Sequence, residues 1–70
     1  MMPLTLARPG EVNTIKKISG RDSVRHHLEN LGFIVGEHVT VVSVISGDVI
    51  LNIKGSRIAL NRDMAQRIMI

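Results

Sequence analysis

The chain has 70 residues, with nine Lys or Arg against six Asp or Glu, so its net charge is +3 with His neutral. That length allows one domain, residues 1–70, which hides only about 60% of the surface its unfolded chain exposes and leaves little material for a deep, walled active site. Hydrophobic residues make up 44% and charged ones 21%, the balance of a folded globule, and the absence of Cys excludes a disulfide framework and a thiolate zinc site.

Leu4 to Leu6 is a short apolar segment, closed by Arg8-Pro9-Gly10-Glu11 as a turn. Val12 to Ile18 reads as one strand ending at Ser19-Gly20. Asp22 to Leu31 is the one convincing helix. Asp22 or Ser23 offers an N-cap oxygen, and Val24, Leu28 and Leu31 form an apolar stripe at i, i+4 and i+7. His27 sits at the edge of that stripe as half-buried packing, while Arg25, His26, Glu29 and Asn30 face outward. Gly32 stands where a left-handed C-terminal cap is needed, and Phe33 is the apolar residue such a cap folds back onto the helix.

The remainder reads as β. Val35-Gly36-Glu37 turns the chain into His38 to Ile45, a run dense in β-branched residues. Ser46-Gly47-Asp48 reverses it, Val49 to Ile53 alternates Val49, Leu51 and Ile53 on one face, and Lys54-Gly55-Ser56 turns again. Arg57 to Leu60 returns with Ile58 and Leu60 inward. Asn61 caps a single helical turn through Ala65, and Arg67 to Ile70 is a last strand bearing Ile68 and Ile70. Roughly five short strands with one inserted helix imply a mainly β fold, a small curled or closed barrel.

The most apolar run, Val39 to Ile45, is broken by Thr40 and Ser43 and falls far short of the roughly 20 residues of a membrane-spanning helix. Met1 to Arg8 carries no basic leader, so a soluble, cytoplasmic protein is expected. Neither a Gly-x-Ser-x-Gly elbow nor a phosphate-cradling Gly-rich loop occurs, and no enzyme is expected.

The candidate metal ligands are His26, His27, Glu37 and His38. Adjacent His26 and His27 diverge by about 100° on a helix and do not chelate one ion together. No cofactor is required; a divalent ion such as Zn2+ would be held weakly, or between two molecules as a weak homo-oligomer. Basic clusters occur at Lys16-Lys17 with Arg21 and Arg25, and at Lys54 with Arg57, Arg62 and Arg67. Single-strand binders add aromatic stacking platforms, and Phe33 is the only aromatic, so nucleic acid is the weaker partner and protein docking the better one.

Three linked patterns are familiar. They are Leu6-x-x-Pro9-Gly10-Glu11; Arg25-x-x-Leu28-x-x-Leu31-Gly32-Phe33-x-x-Gly36; and Val49-x-Leu51-x-Ile53-x-Gly55-x-x-Ile58-Ala59-Leu60 with Ala65 and Ile68 following. Together they resemble the FeoA family, ferrous iron transport protein A, from Leu4 to Ile70. The resemblance implies an SH3-like barrel and a small cytosolic accessory protein of bacterial ferrous iron uptake. Its implied partner is the membrane ferrous iron permease with a cytosolic GTP-binding domain, which it would regulate by docking. Arg21 and Val24 stand where related repressor domains place metal ligands, and neither can serve as one. Exposure and charge select Arg21, Arg25, His26, Glu29, Lys54 and Arg57 as the contact surface. The alternatives are an Fe2+-binding or -sensing domain, then a basic nucleic-acid-binding barrel.

Overall fold

Ile15 and Ile18 are both buried, three residues apart, which a single strand of period two cannot achieve. The chain breaks between them. In the computed structural model, which describes residues 1–70, the expected Val12-to-Ile18 strand is two: β1 (Val12–Thr14) and β2 (Lys17–Ile18). At the break, Ile15 N–H donates to Glu37 O at 2.9 Å and Gly36 N–H donates to Ile15 O at 2.8 Å, so the backbone stays paired while the chain changes sheets.

After a single 3₁₀ turn (Leu4–Leu6) and these two strands, the order is α1 (Asp22–Asn30), β3 (His38–Ile45), β4 (Asp48–Ile53), β5 (Ser56–Asn61), α2 (Arg62–Ala65) and β6 (Ile68–Met69). One antiparallel sheet runs β1-β3-β4-β5, and a second pairs β2 with β6. The fold is mainly β, with six strands. Hydrogen bonds do not close it into a continuous barrel, because two sheets meet across the core instead. A bulge between Val41 and Ser43 bends β3 and helps the larger sheet curl.

Both hairpins turn in two residues. Ser46 (φ 50°) and Gly47 (φ 88°) link β3 to β4, and Lys54 (φ 48°) with Gly55 links β4 to β5. Positive φ at both central residues matches the twist of the flanking strands. α1 starts one residue earlier than its capping signals suggest. Arg21 is the N-cap and supplies no side-chain bond, so neither Asp22 nor Ser23 caps the helix. Asp22 lies in the first turn, where its carboxylate faces the positive end of the helix and pairs with Arg25.

The helix ends as expected. Gly32 takes φ 104°, Gly32 N–H reaches Glu29 O at 2.9 Å, and Phe33 N–H reaches Leu28 O at 3.0 Å. The apolar stripe is narrower than its spacing suggests: Leu28 is buried, Val24 packs against the core, and Leu31 is exposed. His27 lies on Leu31's side of the helix and is exposed rather than half-buried. Leu28 and Phe33 enter a single core with Leu4, Ile15, Ile18, Val39, Val41, Val49, Leu51, Ile53, Leu60, Ala65, Ile68 and Ile70. Ile58 packs against its edge.

Candidate functional site

The sequence-selected contact residues do not form one patch. They divide among the two flanks of α1, the β4–β5 hairpin tip and the outer face of the larger sheet. On the first flank, Arg21 and Val24 line a groove of about 550 Å3 with Gly20 and Arg67. The fold brings Arg67 here, against the Gly20 backbone. A Cβ on Gly20 would stand 3.0 Å from Arg67 Nη1, so Gly20 is where this arginine crosses the backbone. Arg67 also pairs loosely with Asp63 at 3.8 Å, while its Nε is buried without an acceptor.

The second flank carries Arg25 and Glu29. With Lys16, Lys17, Ile18, Ile34 and Val35 they line a groove of about 350 Å3. The helix supplies one wall, the sheet-crossing segment another, and the Ile34-Val35 loop the third. That loop is held at both ends: Phe33 N–H is bonded into the helix cap, and Glu37 N–H donates to Ile34 O at 3.0 Å. Ile34 and Val35 are 40% and 64% exposed, whereas Ile18 at the floor is buried. Lys16, Lys17, Ile18, Ile34 and Val35 are absent from the sequence-selected set. The signal available for Lys16 and Lys17 was their basic cluster, and for Ile34 and Val35 an apolar pair after the Phe33 cap with no helical or strand period to bury it.

Lys54 pairs loosely with Glu37, its Nζ 3.7 Å from Oε1. Arg57 projects from β5 and donates from Nε to Asn52 Oδ1 at 3.4 Å, opposite it in the β4–β5 register. His26 is exposed on α1. Of the candidate metal ligands, Glu37 is engaged with Lys54, and His38 Nδ1 lies 3.3 Å from Thr14 Oγ1. No three His, Asp or Glu side chains converge as a group able to hold an ion, so the fold does not unite His26, His27, Glu37 and His38. No helix is long and apolar enough to cross a membrane.

This chain is similar to known proteins along nearly its whole length. The sequence model of the FeoA domain matches residues 2–70. A protein of Methanocaldococcus jannaschii described as an Fe(2+) transport protein A is 36% identical over 70 residues, covering 100% of this chain and 85% of that one. The crystal structure of an iron uptake regulatory protein, FeoA, superposes with a TM-score of 0.87 at 27% identity, covering 96% of this chain and 89% of that one. The Stenotrophomonas maltophilia FeoA, crystallised with zinc and described as an SH3 domain protein, gives a TM-score of 0.84 at 21% identity, covering 99% and 88% of the two chains. At that identity the likeness speaks to the fold, which is SH3-like. On the extent of these matches, the protein belongs to the FeoA family of ferrous iron transport proteins.

Proposed function

We propose that the protein is a cytoplasmic accessory factor of ferrous iron uptake, which docks on the cytosolic GTP-binding part of the membrane iron permease and regulates it. Family membership over residues 2–70 carries this reading. The physical support is the exposed helix α1, capped at its C-terminus, with a groove on each flank that carries cations in no ion pair, Arg21 on one side and Lys16 and Lys17 on the other. Arg21, Arg25, His26 and Glu29 present that face. Lys54 and Arg57 lie outside it, at the tip of the β4–β5 hairpin and on β5, so they are secondary contacts.

The test is a pull-down of this chain against the separated cytosolic and membrane fragments of the permease. Retention of the cytosolic fragment is expected, with reduced retention by Arg21→Glu and His26→Glu, both at exposed positions. Salt should weaken the contact, because exposed charges are screened beyond about 10 Å at 0.1 M ionic strength. Failure to retain either fragment would reject the reading.

A further inference from the structure

We propose that the groove between α1 and the Ile34-Val35 loop receives an acidic peptide segment of the partner, seated by branched apolar side chains. This deepens the docking reading and rests on it for the partner's identity, but not for the chemistry of the groove.

Charge argues first. Lys16, Lys17 and Arg25 line the groove against one carboxylate, Glu29. Neither lysine takes part in any of the ion pairs of the fold. Arg25 is joined only to Asp22 of its own helix, and its Nε is buried with no acceptor. Carboxylates along the rim would meet both lysines.

Apolar surface argues second. Ile34 and Val35 stand 40% and 64% exposed beside buried Ile18, on a loop whose backbone is bonded at both ends. They are therefore held out toward solvent by the scaffold. The volume of about 350 Å3 is at the small end of ligand pockets and suits a few side chains rather than a broad surface. Nucleic acid fits poorly, since no aromatic lines the groove and Phe33 is fully buried.

The full chain, immobilised, is to be panned against a displayed library of random linear peptides. The expected consensus carries Asp or Glu around Leu, Ile or Val. Titration of that consensus peptide into the isotope-labelled chain should shift the amides of Lys16, Lys17, Ile18, Arg25, Glu29, Ile34 and Val35. Lys17→Glu and Val35→Asp, both at exposed positions, should each weaken binding by about tenfold, while the well-dispersed spectrum of each variant shows that it is folded. No enrichment, a basic or proline-rich consensus, or shifts confined to the hairpin tips would overturn the proposal. Should both variants retain the permease fragment as well as the parent chain does, the groove assignment fails and docking stands. If the parent chain retains no fragment while the acidic peptides still map to the groove, docking fails and the groove chemistry stands.

Discussion

Asn61 shows how one side chain carries a disproportionate share of a small fold. Its Oδ1 accepts from Met64 N–H at 2.8 Å, which starts a helix of only four residues, and that helix buries Ala65. So short a helix has no propagation to stabilise it and depends on its cap and its packing. Asn61→Ala is expected to cost about 1 kcal/mol, out of roughly 4–10 kcal/mol for a domain of this size. The melting temperature should fall by about 4–8 °C, whereas Asn61→Asp, which keeps the acceptor, should melt close to the parent. Equal losses in both variants would show that the cap is not what holds α2.

At the scale of elements, the hairpins set the register of the larger sheet. Val49, Leu51 and Ile53 face the core only because Ile45 pairs with Asp48 and Ile53 with Ser56. A slip of one residue would turn all three outward. Ser46 holds φ 50° without the tolerance of Asn or Gly for that region. Ser46→Asn at this exposed position is therefore expected to stabilise the protein by roughly 0.5 kcal/mol, with a higher denaturant midpoint and an unchanged slope. A lower midpoint would contradict the turn geometry.

For the molecule as a whole, the two ends of the chain lie together. Met2 N–H donates to Ile70 O at 2.9 Å and Ile70 N–H donates to Met2 O at 2.8 Å, while β6 pairs with β2. The second sheet thus covers the core that the curled larger sheet leaves open. Deleting Ile68 to Ile70 removes two buried isoleucines, each worth about 1.5–3 kcal/mol, together with every hydrogen bond of the β2–β6 pair. That loss is comparable to the entire stability, so the truncated chain is expected to show no cooperative thermal transition by circular dichroism. A sharp transition would mean that the larger sheet and α1 suffice alone.

Much of the architecture was legible because it is local. Gly32 and Phe33 announced the end of α1, alternating Val49, Leu51 and Ile53 announced β4, and Ser46-Gly47 and Lys54-Gly55 announced both turns. Each depends on neighbours along the chain, on backbone angles or on side-chain period. The family resemblance was legible on the same motifs. The candidate site was legible only in part: Arg25, Glu29 and the Lys16-Lys17 pair stood out by charge, but their apolar groove companions Ile18, Ile34 and Val35 did not. Lys17 pairs with Met69 and Gly20 meets Arg67 across about fifty intervening residues, so no local pattern encodes the division into two sheets. Hydropathy likewise cannot tell exposed Val35 from buried Val39. The local residue order decided α1, the two hairpin turns and the strands that flank them. Tertiary packing alone decided which of their surfaces stay open, because burial depends on what lies across the fold rather than on what comes next in the chain.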